Sequence, residues 1–462
     1  MQPPRSLWWS QIDDSSPRRT LRGDLDVDVA IVGGGYTGLW TARELLRRDS
    51  HLRVAVLEAH VCGFGASGRN GGWASALFPV PAAAVIARYG SDAFTRQRVA
   101  LQQAVPALGE AARRDGIACS FVQGGTLSFA RTEVQEQRGR ASVELAREHG
   151  IGPDDLQWID SGELAALGQV HGARGATFSP HCARLHPAQL ARGLATAAER
   201  HGAAIFENSA VRKITGASAS RRAQVLTTHG TVTADYVVRA TEGFTPTLPG
   251  QRRSMVPLYS LMIATEPLSQ SWWRAYGFDG FPTFTDERHL LVYGQRTADG
   301  RLAFGGRGSP YHFASTVEPR FDSHSSVFDH LATSLSELFP TLSAKITHRW
   351  GGPLAMPRDK FPTVEVDHES GLCAAGGYTG DGVTLSYVCA NALADLIVTP
   401  GEETTHSALP FVQWPSKQWE FEPLRWIGIN AGLALATYAD HYERGHDRES
   451  RASALLARLM GA

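Results

Sequence analysis

Short apolar runs alternate with stretches of helical periodicity through most of the chain. Residues 27–32, Val-Asp-Val-Ala-Ile-Val, and 53–57, Arg-Val-Ala-Val-Leu, are rich in β-branched side chains. Both read as buried parallel strands, with the amphipathic stretch 39–48 between them as the crossover helix. Helical spacing recurs at 82–114, 131–149 and 186–201, the last opening on His186-Pro187 with proline in the first turn. Residues 121–129 read as a strand pair or hairpin. Residues 203–207 and 209–214 read as strands, 224–233 as a hairpin and 235–239 as a parallel strand running into the turn Ala240-Thr241-Glu242-Gly243. Residues 255–268 and 290–308 alternate apolar and polar positions, with Asp299-Gly300 at a hairpin turn. In that alternation Tyr259 and Ser260 point to opposite faces. A helix at 325–339 stops at Pro340, a strand is predicted at 371–375, and a helix follows to about residue 398.

Between the first two strands lies Gly33-Gly34-Gly35-Tyr36-Thr37-Gly38, a G-x-G-x-x-G, and the second strand ends on Glu58, 20 residues after Gly38. This pattern suits a dinucleotide. Gly33 permits the tight turn, Gly35 lets main chain approach a pyrophosphate, and Gly38 lets helix and strand pack closely. The free N–H groups at the helix start, around Tyr36 and Thr37, attract phosphate. Glu58, followed by Ala59, is placed to accept ribose hydroxyls, and its charge disfavours a 2′-phosphate.

The loop Gly63-Phe64-Gly65-Ala66-Ser67-Gly68-Arg69-Asn70-Gly71-Gly72-Trp73 follows directly. Together with the opening fingerprint it resembles the D-amino-acid-oxidase superfamily of FAD enzymes, and within it the branch containing gamma-glutamylputrescine oxidoreductase. The resemblance implies FAD as cofactor. It also implies an α/β architecture of the glutathione-reductase type: a Rossmann-like FAD-binding domain with an inserted antiparallel-sheet substrate domain. Gly65, Ala66, Ser67, Arg69, Asn70, Gly71 and Gly72 would lie along the pyrophosphate and flavin ring, with Ser and Asn donating hydrogen bonds. The backbone at Val211 would meet the adenine, and Ala240 and Thr241 would close over the nucleotide. Gly352 belongs to a late loop, His348 to Pro362. The stretch Tyr378-Thr379-Gly380-Asp381-Gly382-Val383-Thr384 matches the family's last motif, a helix start aimed at the flavin pyrimidine.

These assignments give an irregular N-terminal arm at 1–24, anchored by Trp8 and Trp9. The FAD-binding domain takes 25–80, 185–250 and 345–400, the substrate domain 81–184 and 251–344, and a helical tail 401–462. Composition narrows the setting. A net charge of −1 argues against nucleic acid or an anionic membrane as an electrostatic partner. The five cysteines show no metal or paired spacing, and no secretory pattern opens the chain. A cytoplasmic protein with reduced thiols and no metal site is expected. No continuous apolar stretch is long enough to span a bilayer, so membrane association is not expected; the apolar segment 423–439 is expected to pack on the body, with a membrane-surface or subunit contact as the alternatives.

The resemblance implies hydride removal from an amine-bearing carbon to flavin N5, imine hydrolysis and reoxidation by O2. No paired carboxylates or Ser-His arrangement is required. Amino-acid-oxidising members of the superfamily often carry an Arg shortly after the Trp-x-Gly of the late loop; here that place is Leu354. An amine substrate is therefore expected, perhaps a polyamine or acylated amine. A glycine, sarcosine or D-amino-acid oxidase, or a flavin-carrying subunit of a larger oxidoreductase, are the alternatives. Trp73, Tyr259, Met262, Tyr293 and Trp350 are the pocket candidates. Asp359 reads as a turn residue, with an acid-base role as the alternative. Relatives that link flavin covalently use a His in the Gly-rich loop or a Cys near the last motif; this loop has no His, and Cys373 lies inside a predicted strand, so FAD is expected to bind non-covalently.

Overall fold

The computed structural model describes residues 6–460; the first five residues of the predicted arm and the last two of the tail lie outside them. Its centre is a six-stranded sheet in the order Thr363–Asp367, Leu372–Gly376, Tyr236–Arg239, Val29–Val32, Val54–Leu57, Ala204–Phe206. All neighbours are parallel except the Thr363–Asp367 edge strand. Period two decides its faces. Val29 and Ile31 join a core built with helices Tyr36–Arg48, Pro187–Arg200 and Gly382–Val398, while Ala30 and Val32 face a smaller, four-stranded sheet through its Val225 and Val232.

A second, eight-stranded sheet runs in the order Ile346–Met356, Val256–Thr265, Leu302–Gly306, Val292–Arg296, Thr283–Asp286, Thr126–Ala130, Gly175–Ser179, Gln157–Asp160. Helix Ser325–Leu338 covers one face through Leu331, Leu335 and Leu338 against Leu261, Ile263 and Phe304. The Asp299-Gly300 hairpin forms as expected, with Gly300 at φ +78°.

Four expectations change. The large sheet is mixed, because Thr283–Asp286 runs parallel to Thr126–Ala130 and joins two antiparallel halves. Residues 121–129 form no hairpin: Gly125 turns the chain, and the following strand pairs with distant partners. Helices Ala82–Tyr89 and Ser91–Arg114 contribute Val85, Leu101 and Leu108 to the nucleotide core rather than to the substrate domain. Strand Ile346–Met356 is an edge of the large sheet, so the nucleotide sheet resumes only at Thr363. In each case long-range pairing overrides a local pattern that fits either side.

Trp8 and Trp9 are buried, anchoring the arm. Helix Leu424–His446 lies against the large-sheet domain while Leu424, Ile427 and Tyr438 stay exposed. No helix among the described residues is long and apolar enough to cross a membrane. Asp440 fixes this helix: its two carboxylate oxygens accept the backbone N–H groups of His289 (2.8 Å) and Leu290 (2.9 Å). Glu443 adds bonds from Arg138 (2.8 Å) and His289 (3.0 Å). His289, Asp440 and Glu443 are close enough to hold an ion, but these bonds already occupy their carboxylates. Asp440→Ala is expected to cost about 2 kcal/mol locally, through two stranded N–H groups. Hydrogen exchange should then show lost protection at His289 and Leu290; unchanged exchange would contradict the latch.

Candidate active site

The first turn is built for close approach. Gly33 sits at φ +112°, where a Cβ would strike the Ala240 carbonyl, and a Cβ at Gly38 would strike the Gly33 carbonyl. Helix Tyr36–Arg48 starts at Gly35 with no side-chain cap and no acidic residue in its first turn. Only the Tyr36 N–H is taken, by Ser67 Oγ at 2.8 Å. Open N–H groups at a helix start fit a phosphate. Thr37 Oγ1 meets Tyr378 OH at 2.9 Å, tying the first motif to the last.

Glu58 stands at the end of its strand. It accepts the Gly34 N–H at 2.7 Å and the His60 N–H at 2.9 Å, while its carbonyl takes Ser209 N–H at 2.8 Å. Those bonds place Glu58 beside the segment leading into Val211; Ala59 is exposed. Burial, with Glu207 adding to it against the backbone donors, pushes the Glu58 carboxyl up to about 7. A half-buried acid whose two oxygens each accept one backbone N–H keeps further lone pairs that fit ribose hydroxyls.

The glycine-rich loop is held from behind. The carbonyl of Arg69 accepts Trp350 Nε1 (2.8 Å), that of Asn70 accepts Trp8 Nε1 (2.9 Å), and that of Gly71 accepts Gln295 Nε2 (2.5 Å). The Arg69 guanidinium pairs with Asp322 (2.7 Å), bonds the Gly351 carbonyl (3.0 Å) and covers Gly352. The Asn70 amide donates to the Ala66 and Ser67 carbonyls and its oxygen accepts Gly72 N–H, so this side chain shapes the loop itself. Gly65 approaches Phe244.

A cavity of about 200 Å³ opens in front of this loop. Ala66, Arg69, Asn70, Gly71, Gly352, Gly380 and Val383 line it from the motifs; Trp73, Ser260 and Tyr293 line it from the facing elements. Tyr293 OH and Ser260 Oγ lie 2.7 Å apart, and Trp73 meets Tyr293 edge-on at 5.9 Å. Val383 and Thr384 are buried behind Gly382, and Thr384 Oγ1 has no partner. Thr241 Oγ1 bonds Thr245 Oγ1 at 2.9 Å.

Of the five pocket candidates, Trp73 and Tyr293 reach the wall and three do not. Tyr259 faces His312 and Phe321 on the far side of its strand, since the alternation gives the cavity to Ser260. Met262 packs with Trp8 and Trp350, and Trp350 supports the loop from behind. Asp359 accepts Trp414 Nε1 at 2.7 Å, a structural role. Cys373 is buried in the core, and the other four cysteines are also buried and free.

Sequence reasoning missed Glu242, Ser75, Arg307 and Asp381. Glu242, at φ +42°, accepts the N–H groups of Gly377 (2.7 Å) and Ala355 (3.3 Å) and clasps its turn to strand Ile346–Met356 and to the approach to the last motif. Burial pushes its carboxyl up to about 7. An acid inside an A-T-x-G turn was the available signal. Ser75, Arg307 and Asp381 line the cavity beside Leu354; Asp381 stood within the last motif with no role of its own.

Glu58 and Glu242 both rise from 4.5 to about 7 on folding. Such a group contributes stability that is complete below its unfolded value and is lost as pH rises through the folded value. Cofactor-free protein is therefore expected to melt at lower temperature at about pH 8 than at about pH 5, and Glu58→Gln should remove roughly half of that fall. A slope unchanged by the substitution would contradict this assignment.

Comparison with known proteins follows the geometry. The family model described as FAD dependent oxidoreductase, DAO, matches residues 28–396. The chain is 31% identical over 422 residues to "Probable oxidoreductase OrdL" of Rhizobium meliloti (strain 1021), covering 87% of this chain and 91% of that protein. It is 30% identical over 397 residues to gamma-glutamylputrescine oxidoreductase of Escherichia coli (strain K12), covering 85% and 88%. The crystal structure of glycine oxidase from Geobacillus kaustophilus superposes with a TM-score of 0.70 at 25% identity, covering 84% of this chain and 99% of that one. The strand order, the fingerprint glycines with Glu58, and the loop before Trp73 agree with the match: the chain belongs to the DAO family of FAD-dependent oxidoreductases.

Proposed function

We propose that this enzyme carries out the oxidative deamination of a small-molecule amine. Amine, water and O2 enter; an aldehyde or ketone, ammonia and H2O2 leave. The observation that supports this most is one cavity shared by the FAD motifs and the large sheet. Ala66, Asn70 and Gly71 of the loop face Ser260 and Tyr293 of the sheet across it. Two relatives carry names that point the same way, one for a glutamylated polyamine and one for glycine.

Bound non-covalently, FAD would accept hydride at N5 from the amine-bearing carbon and pass the electrons to O2. The chain's own residues position and shield. The helix starts at Gly35 and Gly382 would hold the pyrophosphate and favour negative charge at the ring's pyrimidine end. Glu58 would take the ribose. Trp73 and Tyr293 give the substrate an aromatic wall that excludes water, and the Tyr293–Ser260 pair offers one polar contact on it. The presence of this wall in the same chain as the FAD motifs supports self-sufficient turnover over a role as a subunit that only carries flavin.

Anaerobic mixing of the yellow protein with a panel of amines and amino acids tests the reading. An amine is expected to bleach the flavin, and air to restore the colour with release of H2O2. Trp73→Ala is expected to slow bleaching about tenfold or more by opening the wall to water, without loss of bound FAD. A panel that leaves the flavin oxidised throughout would overturn the proposal.

A further inference from the structure

Period two gives strand Thr283–Asp286 two separate duties. Thr285 lines the cavity in front of the glycine-rich loop, and Asp286, the next residue, turns to the opposite face of the sheet. A second cavity, of about 250 Å³, opens there. It lies between the ends of this strand and of strand Thr126–Ala130 on one side and the tail helix Leu424–His446 on the other. It shares no residue with the first cavity. Arg131, Asp286, Arg288, Glu337, Asp440 and Arg444 carry its chemistry.

Formal charge on these side chains balances, three guanidiniums against three carboxylates, but hydrogen-bond donors are in excess. Asp440 is occupied by the His289 and Leu290 N–H groups. Glu337 lies between Arg444 (3.2 Å) and Arg131 (3.9 Å). Asp286 Oδ2 accepts Arg288 Nε at 2.5 Å. Arg288 Nη1 reaches Ser334 Oγ at 3.2 Å, while Nη2 has no partner among the described residues, although the side chain is only 7% exposed. Beside it Asp286, 3% exposed, leaves Oδ1 without a partner as well. A buried donor and a buried acceptor, both unmet, are costly unless a group that accepts and donates joins them. The surroundings favour an anion for that group. Burial and Arg288 hold the Arg131 guanidinium below its ordinary range, and burial, Arg288 and Arg444 do the same to His330. Burial outweighs Arg288 at Asp286 and raises its carboxyl, which favours a proton shared at Oδ1.

We propose that this cavity binds inorganic phosphate, with Arg288 Nη2 donating to a phosphate oxygen and a P–OH donating to Asp286 Oδ1. Arg131 and Arg444 close on the ion from the strand end and the tail helix, with the forked donor geometry that suits phosphate. Inorganic phosphate keeps a P–OH at neutral pH. Sulfate has none, and a phosphate monoester has largely lost its own above about pH 6. The bound ion joins the tail helix to segment 288–291, whose Leu291 lines the first cavity. This site is independent of the amine-oxidation reading.

Calorimetric titration of inorganic phosphate into FAD-loaded protein, at about pH 8 and constant ionic strength, tests the site. FAD keeps phosphate out of the nucleotide site. Saturable binding is expected, with sulfate and glycerol 2-phosphate each about tenfold weaker or more. Arg288→Gln should weaken phosphate about tenfold or more. Asp286→Asn should shrink the preference for phosphate over sulfate to about threefold or less, because an amide can donate to either ion. Arg444 is half-exposed, so Arg444→Gln spares the core and keeps the test open where a buried variant does not fold. It should weaken phosphate about threefold or more. Hydrogen exchange locates the ion: phosphate should add protection across 286–291 in the wild type and not in Arg444→Gln. Sulfate or glycerol 2-phosphate binding as tightly as phosphate overturns the role of the P–OH and with it the choice of ligand. No saturable phosphate binding, or binding indifferent to Arg288 and Arg444, overturns the site.

Discussion

Three consecutive main-chain carbonyls, at Arg69, Asn70 and Gly71, are each captured by a side chain from a different part of the chain. Trp350 comes from the edge of the large sheet, Trp8 from the N-terminal arm and Gln295 from the sheet's interior. A glycine-rich segment has high conformational entropy, and it makes a defined surface only when something fixes its backbone. Here the fixing is done from behind, so the front stays free of bulky side chains and open to the cavity. Arg69 completes the clamp by joining the loop to Asp322 and Gly351. The two large sheets meet through this loop, and the position of Trp73 and Tyr293 relative to the glycine-rich motifs depends on it.

The same economy appears in the charges. Asp395 and Glu443 are paired and hydrogen-bonded, and their carboxyls are held down to about 2 despite partial burial. Glu58, Glu242 and Asp381 lie where burial outweighs their donors, and their carboxyls rise to about 7, about 7 and about 6. The first pair staples secondary structure. The second group surrounds the place where a nucleotide and a substrate would supply the missing partners, which is where strained electrostatics is usually found.

Much of the nucleotide half was legible in the chain. The fingerprint glycines, Glu58, the loop to Trp73 and the last motif are local signals whose meaning does not depend on distant partners. The substrate half was less so. Alternation correctly separated Tyr259 from Ser260 but could not say which face met the cavity; packing against helix Ser325–Leu338 decided that. Trp350 and Met262 carried the aromatic and apolar character of a pocket, yet serve as backing for the loop. Arg307 and Asp381 were not legible as neighbours because 74 residues separate them (381 − 307) and only the end of strand Leu302–Gly306 and the start of helix Gly382–Val398 bring them to one wall. The domain boundaries slipped for the same reason, since the helices at 82–114 have an apolar stripe that fits either core.

The most direct measurement is a crystal structure of the protein loaded with FAD. The account predicts the adenosine ribose on Glu58, the pyrophosphate at the start of helix Tyr36–Arg48, and the flavin ring along residues 65–72 with its reactive face toward Trp73 and Tyr293. The three carbonyl bonds behind the loop should be unchanged. Flavin density outside this cavity, or a loop that must release Trp8, Trp350 or Gln295 to admit the ring, would contradict it.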